Sequence, residues 1–346
     1  MKEMILDFSA IELKQKFIDA GIKGYRALQV NQWILRGVES FEEMNNIPKE
    51  LQAKLTEDYI IGLPKIASIA VSKLDGTRKY VLEMFDGRLI ECVLMRYYHG
   101  LTVCISSQVG CRMGCTFCAS TGIGFERNLS CGEMLAQIIV MQKDAGERIS
   151  NVVIMGIGEP MDNFENLIQF LRLVNDKDGL NIGFRHVTVS TCGLVKNIIK
   201  LAEVGNPVNL SVSLHATNDA LRSSIMPVNK SDSIDKLMHG CKIYIEKTKR
   251  RVTFEYALIK GFNDSQEEAR KLARLLKGLM CMVNVIPINE VSGTGFEKSS
   301  RKSIEGFVDT LEKEGIVVTV RRELGSDISA ACGQLRKDSL SLGDNE

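Results

Sequence analysis

From about residue 100 onward the chain alternates strand-like and helix-like segments, and this alternation limits its fold more than any other feature. Val152–Met155, His186–Ser190, Val208–Leu214, Val252–Leu258, Met282–Pro287 and Ile316–Arg321 are short runs rich in β-branched residues. Helical segments fall near 133–144, 163–175, 194–203, 233–247, 265–277 and 301–314. Repeated strand–helix units predict parallel strands joined by right-handed crossovers. With a further strand at 101–105 there are six or seven units, short of the eight that close a barrel. The fold class expected is therefore α/β: an open, partial (β/α)6-type barrel with its site at the C-terminal strand ends.

Two smaller segments precede this core, which is expected over 98–336 and is followed by a polar tail, 337–346. Residues 1–62 read as a helical unit. Ser9 caps a first helix with Ile11, Leu13, Phe17 and Ile18 on one side, and Gly21 ends it. Tyr25–Leu35 forms a second, with Leu28, Trp33, Ile34 and Leu35 inward; Pro48 opens a third through Leu51 and Leu55. Over 63–97 the apolar period becomes two. Asp86-Gly87 between two such runs predicts a β-hairpin.

Composition excludes more than it selects. A 346-residue chain with 45% hydrophobic and 25% charged residues is of ordinary globular type. No apolar run is long enough to span a membrane, and the N-terminus lacks a leader pattern, so a cytoplasmic location is expected. Ten cysteines in a reducing compartment suggest a cofactor or redox chemistry. A net charge of +1 gives no bulk pull toward nucleic acid. The basic runs Lys247–Arg251, Lys298–Lys302, Arg321-Arg322 and Arg336-Lys337 each read as solvated faces.

The strand at 101–105 leads into Cys111-x₃-Cys115-x₂-Cys118. Thiolates are the ligands preferred by iron–sulfur clusters and zinc, and one tight loop can aim three at a common centre. A zinc knuckle would need a fourth ligand, and the next cysteine, Cys131, is thirteen residues on. Three ligands to a four-iron cluster leave one iron open for a substrate. Downstream, polar groups recur where strands end: Gly158-Glu159 in a G-x-G-E-P loop, Ser190, Ser213-Leu214-His215 and Asn289. Glu159 could take an ammonium group. Cys332 sits late, among small residues in Gly325–Leu335. On pattern alone Glu91 reads as a solvent-facing strand acid, His215 as a structural histidine and Cys332 as a small hydrophobe.

Taken in order, Cys104-Ile-Ser-Ser-Gln-Val-Gly-Cys111, the cysteine triplet with Phe117, Gly158-Glu-Pro-Met-Asp162, Ser213-Leu-His215, Met226-Pro-Val-Asn229 and Asp327…Ala-Ala-Cys332-Gly-Gln-Leu335 resemble the radical S-adenosylmethionine (SAM) RNA adenine methyltransferases. The resemblance runs over nearly the whole chain. It is nearest to the branch with dual specificity for 23S rRNA and tRNA, which methylates carbon 2 of adenine. It implies a 4Fe-4S cluster on Cys111, Cys115 and Cys118, and two SAM molecules per turnover, one as methyl donor and one as radical source. It implies SAM contacts at Gly158, Glu159, Ser190, Ser213, Leu214, His215 and Asn289. Cys332 would carry the methyl group, from which a 5′-deoxyadenosyl radical abstracts hydrogen. Cys104 would resolve the protein–RNA adduct through a transient disulfide, and Glu91 would accept a proton. The implied partners are 23S rRNA, tRNA and a one-electron reductant such as flavodoxin, with no membrane and a monomeric chain. The helical 1–62 unit would contact RNA. Cys92, Cys131, Cys192, Cys241 and Cys281 match no role and read as core. A carbon-8 methyltransferase of the antibiotic-resistance type is the alternative: Gly-Glu-Pro and Arg321–Asp327 favour carbon 2, while Thr121–Phe125 is atypical of it.

Overall fold

The computed structural model describes residues 2–205, 207–288 and 295–330. At the N-terminus β1 (Glu3–Met4) pairs in parallel with β2 (Tyr59–Ile60), tying together the two ends of the helical unit. Between them lie α1 (Ala10–Asp19), α2 (Tyr25–Leu35) and α3 (Lys49–Asp58). Ser9 caps α1 as expected: its hydroxyl accepts from Glu12 N, and the Glu12 carboxylate accepts from Ser9 N. The buried faces differ from expectation. Leu13 and Phe17 turn inward, but Ile11 is 73% exposed and Ile18 49%. At 100° per residue Ile11 stands about 160° from Leu13, so one face cannot hold both. In α2 the inward stripe is Ala27, Val30 and Ile34. Leu28 is 40% exposed, and Trp33 and Leu35 are only partly buried against the core. Spacing outweighs side-chain size there.

The centre of the protein is a ten-stranded sheet whose spatial order follows the chain. Antiparallel β3 (Lys65–Val71), β4 (Arg78–Glu83) and β5 (Leu89–Tyr97) lead to β6 (Gly100–Ile105), which pairs antiparallel with β5. The hairpin residues thus continue the main sheet. After β6 come the short antiparallel pair β7 (Gln108–Gly110) and β8 (Phe125–Asn128), then α4 (Cys131–Ala145). The parallel strands that follow are β9 (Ile149–Ile154), β10 (Val187–Thr191), β11 (Asn209–Ser213), β12 (Val252–Leu258), β13 (Cys281–Pro287) and β14 (Val318–Val320). Their crossovers carry α5 (Phe164–Asn175), α6 (Val195–Val204), α7 (Asp219–Ile225) with α8 (Ile234–Thr248), α9 (Gln266–Leu276) and α10 (Arg301–Lys313). Among the described residues β14 pairs only with β13, so the parallel strands form an open, partial barrel. The short helix α7 was not expected from the sequence.

The period of two along each strand sorts residues between two faces. Val103, Ile105, Val152, Ile154, Val187, Val189, Leu210, Val212, Phe254 and Val285 pack into one core with the helices. The alternate positions hold Cys104, Thr188, Ser190, Ser211, Ser213, Glu255 and Asn284 on the inner face. A polar inner face would be poor packing for a closed core; here it lines the open side of the barrel. Cys92, Cys131, Cys192 and Cys241 are buried as expected, whereas Cys281 is half-buried. Among the described residues no helix is long and apolar enough to cross a membrane.

Candidate active site at the C-terminal ends of the parallel strands

The three cysteines lie on the loop between β7 and β8, each half-buried. Gly110 makes the turn possible. Its φ is +76°, and a Cβ there would stand 1.6 Å from Gly124 O. Cys111 N donates to Gly124 O at 3.1 Å, and Cys118 N to Cys115 O at 3.2 Å. Asp162, from the Gly-Glu-Pro-Met-Asp motif, holds the loop from outside: its Oδ2 accepts from Arg112 Nε at 2.8 Å and Gln108 Nε2 at 2.9 Å. From the other side Thr116 N donates to Ile225 O at 3.0 Å, at the end of α7.

Glu159 follows β9 and is 4% exposed. Its carboxylate accepts from Cys192 N at 2.7 Å and Met161 N at 3.0 Å, while its own N–H donates to Gln108 Oε1 at 2.8 Å. Burial pushes its pKa up, against those backbone donors. Gly158 has φ +105° and touches Gln108 closely; a Cβ there would lie 2.6 Å from Gln108 Cβ. Ser190 and Ser213 are half-buried on the inner face, and Leu214 is fully buried.

His215 is buried with φ +56°. Its Nδ1 accepts from Ala257 N at 2.9 Å, so the proton of the neutral ring resides on Nε2. Burial pushes its pKa down to about 3, helped by the positive charge of Arg222. The ring meets Phe117 edge-on, centroids 4.8 Å apart. His215 is therefore a neutral prop beneath the cysteine loop, with Nε2–H left as a donor. Asn289 lies outside the described residues, as does Cys332.

Glu91 and Cys104 occupy the same inner face. Val93 is directly opposite Cys104 in the β5–β6 register, and Glu91 is two residues from Val93. Glu91 is only 2% exposed, contrary to its reading as a solvent-facing acid, with Lys79 Nζ at 3.5 Å. Cys104 packs with Val93, Met95, Ile157 and Ala330. A cavity of about 40 Å³ opens between Cys104, Pro287, Leu324 and Ala330. The segment Gly325–Ala330 thus covers Cys104.

A radical SAM superfamily profile matches residues 105–273, and a ribosomal RNA large subunit methyltransferase N-terminal domain profile matches residues 4–61. Curated relatives named "Probable dual-specificity RNA methyltransferase RlmN" match almost end to end. The one from Clostridium botulinum (strain Eklund 17B / Type B) is 53% identical over 97% of each chain, and that from Clostridium perfringens (strain 13 / Type A) is 52% identical over the same shares. The chain belongs to the RlmN-type radical SAM RNA methyltransferases. A crystal structure of a radical SAM methyltransferase from Sphaerobacter thermophilus, 42% identical, superposes with a TM-score of 0.93, covering 96% of this chain and 99% of that one.

Radical SAM enzymes use a 4Fe-4S cluster and SAM, and the donor set here fits them. Burial pushes Cys111 up to about 11 and Cys115 higher still, each raised further by the neighbouring thiols. Thiols that penalise one another's ionisation in this way are relieved by a cationic iron centre among them. Among the described residues no three Cys, His, Asp or Glu side chains converge on a single ion. A cluster does not require that, since it spreads its thiolates over separate irons. The RlmN-type motifs also contain supports that sequence reading missed: Asp162 on the cysteine loop, Gln108 under Gly158, and Asn229, which accepts from buried Arg222 at 2.9 Å. Their signal in the sequence was membership of a motif, without a partner to explain it.

Proposed function

We propose that this RNA methyltransferase places its methyl group on carbon 2 of adenine in 23S rRNA and tRNA. The observation that carries this reading is the near end-to-end likeness to dual-specificity RlmN relatives, together with Cys104 and Glu91 on one inner face beneath Gly325–Ala330. When bound, the cluster and SAM supply the one-electron chemistry that carbon 2, an electron-poor position, requires.

The chain's own residues do the rest. Cys111, Cys115 and Cys118 hold the cluster, while Gly158, Glu159, Ser190, Ser213, Leu214, His215 and Asn289 hold SAM. Glu159, buried with its carboxylate oxygens turned to the backbone N–H groups of Met161 and Cys192, suits an ammonium group. The Cys332 thiolate would take a methyl group from one SAM, releasing S-adenosylhomocysteine. That methyl would lose one hydrogen to the radical chemistry of the second SAM and the cluster, which takes back one electron as the methyl carbon bonds to carbon 2 of adenine. Glu91 accepts the proton lost from carbon 2. Cys104 then attacks the Cys332 sulfur: a disulfide forms, the bond from that sulfur to the methylene carbon breaks, and its electron pair stays on carbon, which takes up a proton. The disulfide is afterwards reduced. We assign residues 1–62 to RNA contact. A cytoplasmic monomer fed electrons by a flavodoxin-like protein completes the reading.

Mass spectrometry of adenosines from a methyltransferase-null host carrying this gene tests it. 2-Methyladenosine in both 23S rRNA and tRNA is expected, and its loss with Cys332→Ala. 8-Methyladenosine would overturn it.

A further inference from the structure

We infer that Arg222 is an electrostatic and positioning residue of the cysteine site: the buried counter-cation of the cluster, and the clamp on the strand ends below it. This rests on the reading that Cys111, Cys115 and Cys118 bind the cluster.

Arg222 lies on α7 and is 0% exposed, the largest fully buried side chain among the described residues. Every guanidinium nitrogen is engaged. Nη2 donates to Cys192 O at 2.6 Å and Ser213 O at 3.0 Å, and Nε to Leu214 O at 3.3 Å. Nη1 donates to Asn229 Oδ1 at 2.9 Å and Asp232 O at 3.3 Å. One planar fork thereby joins the segment after β10 to the end of β11, where Ser213 and Leu214 sit. A lysine has no such fork.

All five acceptors are neutral oxygens, and among the described residues no carboxylate stands within ion-pair distance of Arg222. Asp219 and Asp232 act on it from beyond that distance, less strongly than Cys192 and Cys115; Asp219 is linked through Asn229, whose Nδ2 donates to Asp219 Oδ1 at 2.9 Å. An arginine does not shed its proton to escape burial. The charge stays, and buried charges are normally paired. The unpaired cation lies beside the cysteine loop. Ile225, Met226 and Cys192 pack with Met113, Cys115 and Phe117, and Ile225 O accepts from Thr116 N. Cys115 and Cys192 are the thiols that feel the charge of Arg222 most directly.

A four-iron cluster on three thiolates is anionic and gains another negative charge on reduction. A fixed cation stabilises the reduced form more than the oxidised one, so Arg222 raises the reduction potential. Asn229 of the Met-Pro-Val-Asn motif then has a purpose: it orients the guanidinium without neutralising it.

Reconstituted full-length protein tests this by redox titration of the cluster's visible absorption, with iron and sulfide counted per chain. Arg222→Gln removes the charge; Asn229→Asp sets a carboxylate against it; Arg222→Lys keeps it. The first two are expected to shift the midpoint potential negative, and the third to stay near the parent value. Loss of cluster in the first two with retention in the lysine variant also supports the charge role. A neutralised variant that loads the cluster at the parent potential overturns it, as does equal cluster loss in all three. If the parent chain binds no cluster, the underlying reading fails instead.

Discussion

Gly325 N donates to Asp75 Oδ2 at 2.9 Å, joining the turn between β3 and β4 to the segment that precedes Cys332. A second bond runs the other way, from Lys73 N to Asp327 Oδ2 at 3.0 Å. The β3–β4 turn, one strand removed from the hairpin expected at Asp86-Gly87, is thus an anchor for the segment covering Cys104. Asp75→Ala removes one such bond, of about 1 kcal/mol, and should speed hydrogen exchange of Gly325–Ala330 roughly fivefold. Exchange in the Cys111–Cys118 loop should not change.

Gly110→Ala should abolish cluster loading. Left-handed backbone costs a non-glycine residue about 1–2 kcal/mol, and here the methyl would also overlap Gly124 O at 1.6 Å. Iron and sulfide analysis after reconstitution should find neither, with the far-ultraviolet circular dichroism of the helices retained.

The neutral, buried His215 makes stability fall in acid. Its pKa drops from 6.5 to about 3 on folding, so the unfolded chain binds a proton that the folded chain refuses. The stabilisation is complete above pH 6.5 and is lost progressively as pH falls toward 3, at roughly 1.4 kcal/mol per pH unit. Thermal melts at pH 7, 6 and 5 should show this fall, and His215→Gln should flatten it.

Glu91→Gln keeps the shape of the side chain and removes its basicity. Methylation should slow by roughly 100-fold or more, while cluster content is unaffected. An equal loss of cluster would mean that Glu91 and its Lys79 partner serve folding only.

The order of elements was legible because period-two and period-3.6 patterns are local. β12 was read at its observed bounds, Val252–Leu258. The cysteine loop and strand-end polar residues were legible for the same reason. What escaped was whatever depends on a distant partner. Glu91 looks like a surface acid until β4, β5 and β6 assemble around it. Ile11 and Ile18 look inward until the helix phase is fixed by Leu13 and Phe17. Arg222 has no local pattern at all; its partners come from Cys192, Ser213, Leu214, Asn229 and Asp232.

In the proposed reaction Cys332 carries the methyl carbon to adenine and Cys104 releases it. Intact-mass analysis of the Cys104→Ala protein, reconstituted and incubated with SAM, reductant and substrate RNA, tests it most directly. A protein–RNA adduct, joined through a methylene bridge on Cys332, should accumulate. Turnover to free methylated RNA with no adduct would contradict it.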